Sequence, residues 1–453
     1  MWFLVSILGL SASIGDSASF VALPRPVHKQ AFDLVFEVVF GYCSSMRFPW
    51  RWRINGSIIL GLWMCLSGVR AQIDPVARQM FQLGYNQPLQ GRGPIAGYAF
   101  YYLNKPAIFN RTNLTFRLAV APVFLDSQLG IKDVLGPNTD LGIGLEGGGF
   151  ADSFAEMRHG RFVRGESFVG HGGGTSLSVF HRFNPEDRIP LNAILRGGFH
   201  YSAYGREDRT APTFELPDDL KNFSLRTGLR WGGRAPVLFP KVAMELSIWH
   251  ETLLRGSPSS YGYGNDREVN DRSHLFWTRG LLYYTLPEKE HQFSLGLTLG
   301  TSTRADRLSA YRMGGFLPLI AEFPLNIPGY YAQEITATDF ALVNGFYSIP
   351  LDHDKNWFLA FMVGSAKVNY LPGLQQPGDW HTGVGGGIRY RSPNRAWQIA
   401  LGYGYGFRAI RKSGRGAHSI GILLQYDFDL GQPLFDPGLP PSQWRGFDRL
   451  FGR

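Results

Sequence analysis

The stretch AWQIALGYGYGF, Ala396–Phe407, constrains this chain more than any other. Trp397, Ile399, Leu401, Tyr403, Tyr405 and Phe407 alternate without a break against Ala396, Gln398, Ala400, Gly402, Gly404 and Gly406. Period two puts one set on each face of a strand. The bulky set is apolar and ends in aromatics, while the facing set is small or polar. A strand of a water-soluble sandwich buries its apolar face and shows charge on the other. A membrane-barrel strand turns apolar residues to lipid, places aromatics near the headgroups and lines its interior with polar residues or glycine. The second pattern fits, and it recurs along the chain.

Composition agrees. Of 453 residues 56 are glycine and 14% are aromatic, against only 18% charged. That balance is foreign to helical soluble proteins and ordinary for an outer-membrane barrel. The two cysteines are Cys43 and Cys65. Arg47–Ala71 reads as a secretory signal: Arg47, Arg51 and Arg53 form the cationic head, Ile54–Gly68 the apolar segment, and Val69-Arg70-Ala71 the cleavage site. Residues 1–45 then read as an over-long gene start or a disordered lead, and 46–71 as the signal peptide. Cleavage after Ala71 leaves a mature chain without cysteine, carrying 39 Lys and Arg against 33 Asp and Glu. No segment after Gln72 approaches the roughly 18 apolar residues a membrane helix needs.

Asp74 as cap and Pro75 at the first position predict a short helix through about Leu83, within a periplasmic lead-in over 72–93. About fourteen strands follow, at 95–103, 112–124, 139–150, 173–183, 192–201, 222–231, 241–250, 273–285, 291–300, 338–349, 357–367, 381–391, 396–407 and 417–428. Short turn-like connections (Asn184–Asp187, Pro287–Glu290, Asp352–Lys355 and Ser392–Arg395) alternate with longer ones at 151–172, 202–221, 251–272, 301–337 and 368–380. Short turns on one side and long loops on the other is the barrel asymmetry. Two connections fit poorly, since 104–111 is short for a loop and 125–138 long for a turn. The expectation is therefore an all-β transmembrane antiparallel barrel of about fourteen strands, between twelve and sixteen, over 94–428, with a periplasmic helix before it and an irregular periplasmic tail over 429–453.

No enzyme signature survives inspection. His250-Glu251 opens a zincin-like string, but Leu254 stands where the second histidine belongs. The glycine triplets Gly172–Gly174 and Gly385–Gly387 do not lead from a strand into a helix, so they read as strand glycines. Neither a metal nor a cofactor is expected, nor is nucleic acid a partner. On the face opposite the apolar one lie Arg117, Glu146, Arg182, Arg196, His200, Arg226, Arg230, Glu245, Arg389 and Arg391. Charge facing hydrocarbon is costly, so these residues point to the lumen. They form either a network bracing the wall or an electropositive bore favouring anionic solutes.

The last predicted strand resembles a barrel-assembly signal, carried by Ser419, Gly421, Leu424, Tyr426 and Phe428, and implies the barrel-assembly machinery as a partner. The C-terminal third resembles the bacterial surface-antigen superfamily, which includes outer-membrane assembly factors and two-partner secretion pores. Two segments carry the resemblance: Tyr311-Arg312-Met313-Gly314-Gly315-Phe316 in the longest loop, and Gly383–Pro393 followed by the alternating strand Trp397–Phe407. It implies that five strands follow the loop. It also implies that the loop folds into the lumen with Arg312 bound to an acidic wall residue. The family's acidic strand motif should fall near Phe361–Ser365, where Val363 replaces the aspartate, and no substrate-receiving repeats fit within Gln72–Pro94.

The reading is a bacterial outer-membrane barrel in contact with lipid and lipopolysaccharide. Its leading function is a surface-antigen-like pore or passive channel with a mildly basic lumen and an in-folded loop over 301–337. A polypeptide insertion or export factor, with polypeptide clients, is the alternative. A soluble secreted β-rich binding module is the third.

Overall fold

The computed structural model describes residues 76–431, except 95, 186, 188, 234–238, 240 and 317–322. The expectations for the gene start, the signal peptide and residues 432–453 lie outside the described residues. Sixteen strands form the wall. The first eight are β1 (Arg78–Pro88), β2 (Ala96–Pro106), β3 (Leu114–Ala121), β4 (Phe124–Ile131), β5 (Thr139–Gly148), β6 (Phe168–Arg182), β7 (Leu191–Arg206) and β8 (Leu220–Gly233). The rest are β9 (Val242–Gly256), β10 (Arg272–Thr285), β11 (Gln292–Thr303), β12 (Ile335–Pro350), β13 (Trp357–Tyr370), β14 (Trp380–Arg391), β15 (Trp397–Arg411) and β16 (Gly414–Asp427). Each pairs antiparallel with its neighbours, and β1 pairs with both β2 and β16, from Met80↔Asp427 to Pro88↔Ser419. The sheet therefore closes on itself and leaves no edge.

All fourteen expected strands are present; β1 and β4 are additional. The predicted helix through Leu83 is corrected to the start of β1. Phe81, Leu83 and Tyr85 point outward there, against Met80, Gln82 and Asn86 buried inside. Asp74 and Pro75 are helix-start signals, but β2 and β16 would both be open edges without this strand, and an open edge in lipid leaves backbone groups unsatisfied. The barrel thus begins at Arg78 rather than near 94. Strand β4 escaped because the β3–β4 turn is Pro122-Val123, an apolar pair without the Asn-Gly or Asp-Gly signature of a tight hairpin. Its insertion removes both misfits: 107–113 and 132–138 now lie at the same end as the other short turns.

Connections after even-numbered strands are short, at 107–113, 183–190, 286–291, 351–356 and 392–396, for example. Polar side chains close them: Asp352 accepts from Trp357 N (2.7 Å) and Asn356 N (3.1 Å). Connections after odd-numbered strands include 149–167, 207–219, 257–271 and 304–334. The two rims are therefore a turn end and a loop end, and both Arg78 and Asp427 lie at the turn end.

Alternation sorts the faces. Ile248, Leu282, Leu295 and Leu401 lie on the outward rows, with Leu401 59% and Ile248 60% exposed. Such residues recur on nearly every strand, forming an apolar belt larger than a water-soluble surface carries. Among the described residues no helix is long and apolar enough to cross a membrane. That observation says nothing against crossing by strands. The inward rows hold Trp249, Trp277, Phe340 and Leu342 together with most of the charged strand residues.

Candidate functional site

The loop 304–334 enters the barrel and packs on its inner wall. Tyr311–Met313 pairs with β12 through Tyr311↔Ala337 and Met313↔Ile335. Beyond it Phe316 reaches the inner face of β14 and β15, where Gly385, Gly402 and Gly404 leave a bare trough; a Cβ at Gly402 would overlap the Phe316 ring. Further along, Phe323 sits edge-on to the stacked pair Trp249 and Trp277, at 5.4 Å from each. Asn344 donates to Asn326 O at 2.9 Å. The small face of the alternating stretch in β15 thus receives the loop. Five strands follow this loop, β12 to β16, the number the surface-antigen resemblance implies.

One ion pair holds the return limb. Arg411 donates from Nη1 to Glu334 Oε1 (2.8 Å) and from Nη2 to Glu334 Oε2 (3.0 Å), with both side chains buried. The guanidinium also lies 3.6 Å over the Tyr331 ring, and Tyr331 N donates to Glu334 Oε2 at 2.7 Å. A β-bulge puts Arg411 there. The β15–β16 register shifts between Gly406 and Ile410, so Phe407 faces out while Ala409 and Arg411 turn in.

Arg312 takes a different partner from the one implied. It donates to Ala155 O and to Gln333 Oε1 (3.0 Å) and stacks 4.7 Å over Phe154. It therefore ties the lumen loop to loop 149–167. No acid is available on β13: Phe361 and Val363 belong to its outward row, and Met362 and Gly364 face in at that level. The polarity of the latch is reversed, with the acid Glu334 on the loop and the base Arg411 on the wall.

Above the lumen the long loops are knotted together. Glu166 receives Arg158 and Arg267, and Glu156 receives Arg307, with Arg267 a further 3.8 Å away. Phe154, Phe168, Phe214, Leu220, Tyr261 and Val269 pack beside these charges. Arg255 pairs with Asp306 at 2.5 Å, joining the end of β9 to loop 304–334.

The expected lumen residues all lie on inward rows. Arg117 pairs with Asp126 (2.9 Å), Arg226 with Glu251 (2.9 Å), Glu245 with Arg279 (3.1 Å) and Arg391 with Glu290 (2.7 Å). His200 bridges Glu146 (3.2 Å) and Asp152 of loop 149–167 (2.8 Å). Arg196 donates to Ser178 Oγ (2.9 Å), Arg230 lies 5.9 Å over Trp249, and Arg182 donates to the turn carbonyl of Asp187 (2.9 Å). Arg389 is sandwiched between Phe239 (4.4 Å) and Phe358 (4.0 Å). Many of these charges brace the wall. Along β6 to β10, however, Arg182, Arg196, Arg226, Arg230 and Arg279 outnumber Glu245 and Glu251, and Arg196 stands directly opposite Arg226. Glu251, paired with Arg226, offsets the repulsion between these like-charged neighbours.

In β16, Ser419 and Gly421 face in and Leu424 and Tyr426 face out, while Phe428 packs on Tyr101 and Tyr426. Residues Phe428–Gly431 form a single helical turn, whose Asp429 accepts from Gln79 N at 3.0 Å. Among the described residues no group of three or more His, Cys, Asp or Glu side chains converges as metal ligands would. Sequence reasoning missed Glu334, Arg411, Glu156 and Arg267. A weak signal existed for Arg411, since the alternation of β15 stops at Phe407-Arg408-Ala409.

No protein-family model and no curated protein sequence matches the chain. Solved structures do. CdiB from Acinetobacter baumannii aligns at TM-score 0.51 and 11% identity, covering 78% of this chain and 60% of its own. BamA from Haemophilus ducreyi, in a form lacking POTRA domains 1–3, aligns at TM-score 0.50 and 12% identity, covering 78% and 70%. The chain spans less than two thirds of the CdiB chain. At such identities the likeness concerns fold alone: a closed sixteen-stranded barrel of the outer-membrane type.

Proposed function

We propose that the chain is an outer-membrane channel for small anionic solutes, closed at rest by its own loop 304–334. The observation that carries the reading is an apolar belt around a bore with excess arginine, into which a loop folds and is fastened on its return limb by the buried Arg411–Glu334 pair. Apolar side chains on the outward rows suit lipid, and fixed positive charge in a narrow water-filled bore favours anions. On this reading the turn end faces the periplasm, the belt meets phospholipid and lipopolysaccharide, and the β16 signal serves the barrel-assembly machinery.

Planar-bilayer recording tests it. The full chain should open rarely, and deletion of 305–334 should give steady current whose reversal potential in a salt gradient shows anion preference. Silence from both proteins, or cation preference in the deletion, would sink the proposal.

A second reading, insertion or export of polypeptides, draws on the inward-folded loop after β11 and on the fold shared with CdiB and BamA. Unfolded clients crosslinked inside the barrel would favour it. The third reading, a soluble binding module, predicts a protein that stays dispersed without detergent. The exposed belt argues against that behaviour.

A further inference from the structure

At the loop end a cavity of about 420 Å³ lies between the hairpin Met157–Phe162 and the end of β15. Its lining is Arg158, His159, Arg161, Val163, Ile410 and Arg411. Four of the six can carry positive charge and none is an acid. The volume falls in the lower part of the range of about 300–1,000 Å³ typical of small-molecule sites.

The walls are set by packing. The hairpin tip is His159-Gly160, both with positive φ (47° and 66°), and Gly160 is pressed so close to Ile410 O that a Cβ would overlap it. Only glycine lets the tip seat there. The charges divide into two kinds. Arg158 is answered by Glu166 and Arg411 by Glu334. The side chains of Arg161 and His159, both exposed, have no ion pair or hydrogen bond among the described residues. An oxyanion entering the cavity would give the Arg161 guanidinium the charge-assisted hydrogen bonds it lacks.

We propose that this cavity binds a small polyanion, a phosphate or an organic di- or tricarboxylate. Arg161 supplies the unneutralised charge, His159 a ring N–H, and Arg411 a guanidinium at the floor. The same Arg411 holds Glu334, so the anion and the loop carboxylate compete for one cation. Linkage makes the effect reciprocal: anion binding loosens loop 304–334, and removing the Glu334 charge tightens the anion. The site goes beyond the channel reading, because binding is measurable in a barrel that carries no current.

The test is isothermal titration of the full chain in detergent at low salt with inorganic phosphate, citrate and glucose in separate runs. Binding of phosphate, citrate or both, with glucose inert, is expected, and the responding anion names the class. The double variant His159→Gln, Arg161→Gln should weaken binding by about tenfold or more, and Glu334→Gln should strengthen it by a similar factor. A gain in Glu334→Gln cannot come from misfolding. The proposal is overturned if neither anion binds at about 10 mM, if glucose binds as well as they do, or if the double variant binds like the parent. Unchanged affinity in Glu334→Gln overturns the competition.

Discussion

Arg411→Ala is the most direct test of how the lumen is closed. The substitution removes two charge-assisted hydrogen bonds of 2.8 and 3.0 Å and the stack on Tyr331. It leaves the Glu334 carboxylate buried, with Tyr331 N as its remaining donor. Stripping one partner from a buried ion pair costs about 3–5 kcal/mol. Two charge-assisted bonds at about 1.5–3 kcal/mol each give about 3–6 kcal/mol, which overlaps that range. Phe316 in its trough and Phe323 against the two tryptophans still favour the docked loop. The docked-to-released ratio should therefore fall by roughly two to three and a half orders of magnitude without unfolding the wall. Two assays follow it: open probability of single barrels in planar bilayers, and trypsin cleavage at Arg304, Arg307 and Arg312 in the folded protein. Both should rise in Arg411→Ala. The double variant Arg411→Gln, Glu334→Gln should fall back toward the parent, because no unpaired charge is then left buried. If Arg411→Ala matches the parent in both assays, the pair is not what fastens the loop.

Other substitutions address separate contacts. Gly402→Ala should push Phe316 from its trough, costing about 1–3 kcal/mol by overpacking, whereas Gly197→Ala, with nothing within 4 Å of the added carbon, should be neutral. Thermal midpoints of heat-modifiable migration compare them, and equal midpoints would refute the docking of Phe316. Leu401→Arg, on the outward row, should cost about 2–4 kcal/mol and impair membrane assembly, while Gln398→Arg on the inward row of the same strand should assemble. Equal damage would undo the assignment of faces. Asp152 tests the anchoring of loop 149–167. Burial pushes its carboxyl up, but hydrogen bonds from His200 and Ser202 outweigh this and hold it below the ordinary 3.8. A depressed carboxyl stabilises above its unfolded value and loses that contribution as pH falls through the folded one. The loop should resist protease at pH 5 and 7 and loosen only below pH 3.8. Asp152→Asn should loosen it already at pH 7, and equal protection of variant and parent at pH 7 would rule the anchor out.

The alternation of Trp397–Phe407 was enough to read a strand with one greasy face, and the same period elsewhere located fourteen of the sixteen wall strands. Pleated backbone alternates side chains locally, so a face is legible from a few consecutive residues. The contrast between Asp352-His353-Asp354-Lys355 and the long 301–337 region was legible for the same reason. Turn chemistry is local too. What stayed hidden is everything set by partners distant in the chain. Strand β1 carries a helix-start signal and becomes a strand because β2 and β16 need a mate on either side. Arg312 stands in a recognisable motif, yet which charge meets which depends on where the loop comes to rest. That position is decided by bare glycines on β14 and β15 and by a bulge that turns Arg411 inward, 77 residues along the chain from Glu334. Side-chain period belongs to the strand itself. Closure, and the pair that fastens the loop, exist only once the sheet has curled and brought remote residues within hydrogen-bond reach.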